Sequence, residues 1–227
     1  MRVFILCTGR SGSSAMIKAC QHITNYTAGH ETQTQEFGAE RFDFPENHIE
    51  ADNRLTWHLG RLNDEFGREP FYVHLKRNRQ AVAKSFMSRF YLPGSMIDAF
   101  TEGIHKIPPE KLSEKERKQA CLDYVDSVNS NVELFLADKP NRLDIHLEHI
   151  QEDFPKFWKA IGAEGDLSAA LKEFEKRHNS TSRRKLNLPY RLKLYAKREL
   201  RHWKLAWKEM RRCTCLAAAA AAIRSQG

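Results

Sequence analysis

Six residues near the start, Gly9-Arg10-Ser11-Gly12-Ser13-Ser14, have the composition of an anion-binding loop. Two glycines permit a tight turn whose backbone N–H groups point inward, and three serines offer hydroxyl donors. Arg10 adds a full positive charge. A second informative stretch is Lys76-Arg77-Asn78-Arg79-Gln80-Ala81-Val82-Ala83-Lys84-Ser85-Phe86. Arg77 falls at an expected strand end and Ser85 about two turns into the helix that follows, so a charged fork and a hydroxyl can meet one phosphate from two sides. The first loop is not that of a nucleoside triphosphatase, in which Gly-Lys-Ser/Thr serves the γ-phosphate and Mg²⁺. Here Arg10 precedes the turn and no Lys follows Gly12.

Positioning these groups needs a sheet edge. Val3 to Cys7 is a short apolar run that reads as a buried parallel strand, and Ala15 to Cys20 reads as the helix after it. A loop between such a strand and helix receives the positive end of the helix dipole. Thr24 to Gly29 reads as a second strand, and Gln33 to Glu50 as a polar, ordered loop over the C-terminal sheet edge. Asp52 is expected to cap a helix reaching Phe66, with Leu55, Leu59 and Leu62 as its apolar stripe and Gly67 as its stop. Pro70 to Lys76 is the next strand, Gln80 to Phe90 a helix, and Ser113 to Leu136 a long helix after Pro108-Pro109. Leu143 to Leu147 is a further strand, followed by a helix through Phe154, Phe157, Trp158 and Ile161 to Gly162. Alternation of strand and helix predicts an α/β fold: a P-loop-like central parallel β-sheet flanked by helices, with a helical C-terminal part. Residues 1–190 form the expected catalytic domain, and 191–227 a basic amphipathic helix with an Ala-rich tail.

Composition bounds the partners. The chain has 227 residues, 41% hydrophobic and 10% aromatic, enough for one substantial core. Arg2 precedes too short an apolar run for a secretory leader, and no run reaches the roughly 20 residues of a membrane span. Five scattered cysteines, the first in the core strand, lead to an expectation of reduced thiols and a cytoplasmic protein. A net charge of +8 calls for an anionic partner without naming it.

The two basic stretches together resemble the cofactor signatures of sulfotransferases that use 3′-phosphoadenosine 5′-phosphosulfate. In that family a strand–loop–helix of the type (Lys/Arg)-Ser-Gly-(Thr/Ser)-(Thr/Ser) holds the 5′-phosphosulfate, and an Arg with a Ser eight positions on holds the 3′-phosphate. The matching residues are Arg10-Ser11-Gly12-Ser13-Ser14, with Gly9 before them, and Arg77 with Ser85. The tyrosyl branch of the family has a Gly-Glu-Glu-Thr-like sequence carrying its catalytic base. Gly29-His30-Glu31-Thr32 is similar, with His30 where that branch has a carboxylate. His146 to Ile150, through Gly162, is similar to a further region of many bacterial members. The usual C-terminal Arg-Lys-Gly loop is missing, and Arg183-Arg184-Lys185 is its nearest analogue.

The resemblance implies in-line sulfuryl transfer, with Arg10 stabilising the leaving phosphate oxygen and Glu31 taking the acceptor proton, tuned by His30. It implies a nucleotide cosubstrate, adenosine 3′,5′-bisphosphate as product, and no metal. The acceptor class is a small molecule, carbohydrate or glycolipid, with no nucleic acid expected and peripheral membrane contact open to the basic C-terminal helix. His58 is the rival base, by analogy with the histidine-using branch, although it falls inside an expected helix. His74, Trp57 and Phe86 read as core, and Phe42 and Phe44 either line the acceptor site or pin the loop. Two other classes stay open: a P-loop nucleotide kinase, and a non-enzymatic basic module for nucleic acid or membrane surfaces.

Overall fold

The structure is a computed structural model. It describes residues 1–90, 92 and 94–176, together with Ala196, Leu200, Trp203, Trp207 and Met210, which are helical and exposed. Five parallel strands form one sheet: β1 (Val3–Leu6), β2 (Thr27–His30), β3 (His48–Ala51), β4 (Phe71–Lys76) and β5 (Arg142–His146). Their spatial order is β2-β3-β1-β4-β5. The chain leaves β1 toward β2, returns to β3, then crosses β1 to reach β4. The C-terminal end of β1 is therefore the point where strand order reverses, the place where open α/β sheets bind ligands.

Strand β1 is buried on both faces, and its alternation divides the core. Val3, Ile5 and Cys7 enter one apolar cluster, and Phe4 and Leu6 the other. Helix α1 (Ser13–Cys20) covers the first face with Met16, Ile17, Ala19 and Cys20. The second face takes α2 (Leu59–Phe66), α3 (Arg79–Met87) and the short α4 (Met96–Asp98). It also takes α5 (Glu114–Leu136), whose Cys121, Tyr124, Val125, Val128 and Val132 form a helical apolar stripe. Ser113 and Glu116 close a capping box at its start, satisfying two N–H groups that a helix leaves open. Helices α6 (Ile150–Ala160) and α7 (Leu167–Lys172) complete the first face.

Two sequence expectations need correction. The polar stretch 33–50 is not all loop, because it ends in β3, which pairs with both β1 and β2. Its polar appearance comes from His48 and Glu50, which satisfy each other inside the sheet. The helix expected from Asp52 to Phe66 is interrupted: a 3₁₀ turn spans Leu55–Trp57, and α2 begins only after His58. Asp52 is fully buried and accepts hydrogen bonds from Arg54 N–H, Thr34 Oγ1 and Arg41, so tertiary partners take the carboxylate that would have capped a helix. The Ser113 start and the helix after Arg77 agree with expectation to within a few residues. Among the described residues no helix is long and apolar enough to cross a membrane. The division at residue 190 and the Ala-rich tail lie outside the described residues.

Candidate active site

The chain turns sharply after β1. Gly9, Arg10 and Gly12 have φ values of 73°, 59° and 100°, three left-handed residues within four. Neither glycine can be replaced without displacement. A Cβ at Gly9 would lie 3.0 Å from Asn53 Nδ2, and one at Gly12 would lie 2.8 Å from Leu147 Cδ1. Gly12→Ala is therefore expected to cost about 2 kcal/mol in backbone strain, before any repacking of Leu147. A midpoint about 4–8 °C lower in thermal unfolding would register it, and an unchanged midpoint would count against this packing. Tyr124 Oη donates to Thr8 O at 2.8 Å and ties the loop base to α5. Helix α1 starts at Gly12 without a side-chain cap, so its first N–H groups face the loop's interior. The Ser11 hydroxyl is completely buried, beside the Cys7 thiol.

Strand β4 delivers Arg77, and α3 delivers Ser85. Arg77 Nη1 donates to Arg10 O at 2.9 Å, and Arg10 Nε donates to Ser85 Oγ at 3.0 Å. The two stretches separated by 67 residues in sequence thus meet at the loop. Arg89, in the turn after α3, is drawn into the same cluster. Burial, then Arg89 and Arg77, pushes the Arg10 guanidinium down to about 10. Arg89 and Arg77 thus repel the Arg10 guanidinium. Among the described residues, Arg89 Nε is itself buried without a hydrogen-bond partner. The sequence reading missed Arg89, although its position one helical turn beyond Ser85 was a usable signal. Asn78 caps α3 by accepting from Ala81 N–H, while its own N–H donates to Glu148 Oε1 at 2.9 Å. Leu147 and Glu148, just past β5, therefore brace both the glycine loop and the Arg77 segment.

The Gly29-His30-Glu31-Thr32 turn stands across from the loop. His30 Nε2 lies 3.0 Å from Ser13 Oγ and 3.4 Å from Ser14 Oγ, directly on the start of α1. Glu31 has φ 58° and continues the β-pairing through its N–H to Ala51 O. Its Oε2 lies 2.9 Å from Arg54 Nη1. The carboxylate is one-third exposed. His58 stands at the start of α2, in a T-shaped contact with the ring of Phe42. Burial, then Arg41 and Arg61, holds it below the ordinary histidine range. Phe42 and Phe44 are buried and pin their loop, Phe86 is core, and His74 is buried with Nε2 3.1 Å from Asn129 Oδ1. Trp57, expected in the core, is instead exposed and stacks on Tyr124. Arg183 and Arg184 lie outside the described residues.

No family model matches the chain, and no curated protein sequence does. Comparison with solved structures gives a different result. The crystal structure of mouse sulfotransferase SULT7A1 complexed with PAP matches with a TM-score of 0.55 at 15% sequence identity. The match covers 82% of this chain and 67% of that one. The fold is that of a sulfotransferase. On this sulfotransferase fold, the residues that sequence reasoning did not single out for the site are Arg89, Arg54, Asn53 and Leu147. Each is contributed by an element whose approach to the loop depends on the sheet order.

Proposed function

We propose that the chain moves the sulfuryl group of 3′-phosphoadenosine 5′-phosphosulfate to a hydroxyl or amine, leaving adenosine 3′,5′-bisphosphate. One observation carries this reading: Arg10, Arg77, Ser85 and Arg89 converge beside a glycine loop at the start of α1. The group fits the residues present. Arg89 Nε is buried with no acceptor among the described residues, and phosphate oxygens at neutral pH are chiefly acceptors. An anion also relieves the repulsion among the guanidiniums.

In this reading the loop N–H groups of Gly9 to Ser14 and the hydroxyls of Ser11, Ser13 and Ser14 hold the 5′-phosphosulfate. Arg77, Ser85 and Arg89 hold the 3′-phosphate, and Arg183 and Arg184 are further candidates. When bound, the nucleotide supplies an activated sulfuryl group: the acceptor oxygen or nitrogen bonds to sulfur as the bond from sulfur to the bridging oxygen breaks. Glu31 takes the acceptor proton, and Arg10 stabilises the electron pair left on the 5′-phosphate oxygen. His30 orients the loop hydroxyls and tunes the base. Positioning and electrostatics supply most of the rate, as in phosphoryl transfer. The acceptor is a small molecule, carbohydrate or glycolipid. A glycolipid suits the exposed Trp203 and Trp207 in the basic C-terminal segment, a composition that favours anionic membrane surfaces.

The kinase reading lacks the Gly-Lys-Ser/Thr that magnesium and a γ-phosphate require, and a nucleic-acid module leaves both arginine loops unexplained. Calorimetry separates these readings. Adenosine 3′,5′-bisphosphate is expected to bind in EDTA, and ATP–Mg²⁺ to bind more weakly by about tenfold or more. Sulfuryl transfer should likewise persist in EDTA. Preference for ATP–Mg²⁺, or activity that disappears with chelator and returns with Mg²⁺, would sink the assignment.

A further inference from the structure

Strand β3 carries a carboxylate where a strand buried on both faces ordinarily carries an apolar side chain. Glu50 lies in register between Phe4 of β1 and Gly29 of β2, and it is completely buried. A buried carboxylate is tolerated only when its oxygens are satisfied. Here Oε1 accepts Thr32 N–H at 2.9 Å, and Oε2 accepts Thr32 Oγ1 at 2.7 Å. His48 Nε2 lies 3.0 Å from the same Oε2, and His48 Nδ1 lies 2.7 Å from Thr27 Oγ1. Burial alone would raise the Glu50 carboxyl, yet the bonds from His48 and Thr32 prevail and hold it below the usual carboxylate range.

The result is a polar chain from Thr27 at the start of β2, through His48 and Glu50, to Thr32 beyond the strand's end. Gly29 makes room for it. A Cβ at that position would stand 2.4 Å from Thr32 Cγ2 and 2.7 Å from Glu50 Oε2. Both bonds from Thr32 to Glu50 grip the residue next to Glu31, which holds an uncommon left-handed backbone angle. Such a conformation persists only where its surroundings over-determine it. Glu31 N–H to Ala51 O fixes one side of the turn, and Thr32 fixes the other.

We infer that Glu50 is a positioning residue for the Glu31 carboxylate, acting through its two hydrogen bonds to Thr32. The inference rests on Glu31 being the base of the proposed transfer. It gives a role to each residue of the Gly29-His30-Glu31-Thr32 turn. Gly29 admits the Glu50 carboxylate, His30 meets the loop hydroxyls, Glu31 faces the acceptor and Thr32 is the clamp.

The test is a double-mutant cycle with two readouts. Calorimetry follows adenosine 3′,5′-bisphosphate, and release of labelled sulfate to water from 3′-phosphoadenosine 5′-phosphosulfate follows turnover. Glu50→Gln is expected to keep nucleotide affinity within about twofold and to slow release about tenfold or more. Thr32→Val, which retains the N–H but loses the hydroxyl, slows it in the same way and carries the test should Glu50→Gln fail to fold. Thr32→Ser keeps both donors and returns release to within about threefold of the parent. In a Glu31→Gln background, Glu50→Gln adds less than about twofold, because the group it positions is already disabled. An equal further loss in that background, a loss of nucleotide affinity, or no slowing by Glu50→Gln and Thr32→Val would overturn the inference. Normal turnover by Glu31→Gln removes the base itself and the positioning role with it. A parent chain that fails to bind the nucleotide removes the sulfotransferase reading instead.

Discussion

Glu31→Gln is expected to bind adenosine 3′,5′-bisphosphate like the parent chain while turning over at least a hundredfold more slowly. Removing a general base costs ~10²–10⁴ in rate, about 3–5 kcal/mol of transition-state stabilisation. Glutamine preserves the size and hydrogen-bonding reach of the side chain, so its contact with Arg54 can persist while basicity is lost. Nucleotide affinity should survive because the phosphate-loop contacts come from Arg10, Arg77 and the residues around them, not from Glu31. His58→Ala is the informative contrast. His58 packs against Phe42 at the start of α2, where burial and two arginines already favour its neutral form. That variant should stay within a few-fold of the parent. Normal turnover in Glu31→Gln together with a dead His58→Ala would assign the base to the histidine and place the chain with the histidine-using branch.

Arg77→Ala combined with Arg89→Ala should abolish the preference for adenosine 3′,5′-bisphosphate over 5′-AMP. Each charge-assisted contact to a phosphate is worth about 1.5–3 kcal/mol, so losing two should weaken the bisphosphate by about a hundredfold or more. The effect on 5′-AMP should be small, because that ligand lacks the second phosphate. Its sign can even be reversed: Arg89 and Arg77 add to burial in lowering the Arg10 guanidinium, and removing them relieves that repulsion. The single variants should each lose less than half of the combined effect in free energy, since the remaining cation can shift toward the phosphate. Parallel loss of affinity for both nucleotides would mean that the arginines shape the loop and do not read the 3′-phosphate.

The strand–loop–helix at the start was legible in the sequence because its causes are local. An apolar run of about five residues, glycines at left-handed positions and serines before a helix need no distant partner to be understood. Arg77 and Ser85 were legible for a related reason, since a strand end and the helix after it set their separation. The α/β class followed from alternation, and α5 was expected after Pro108-Pro109, with the structure adding the Ser113 capping box at its start. Glu31 and His30 were singled out through motif resemblance, and the structure brings His30 onto Ser13 and Ser14.

Strand β3 was hidden because its meaning is non-local. His48 and Glu50 look like loop residues until β2 is laid beside them and Thr27 and Thr32 supply their partners. Asp52 had the local form of a helix cap, but Arg41 and Thr34 claim its carboxylate across the fold, and the helix starts later. Arg89 acquires significance only from the approach of Arg10 and Arg77, and Leu147 only from its contact with Gly12. The sequence by itself determined which segments could turn, cap and bind an anion, since backbone sterics and helix dipoles act within a few residues. The order of strands around β1 decided which buried charges would meet, because an ion pair inside a sheet depends on partners that chain proximity does not supply.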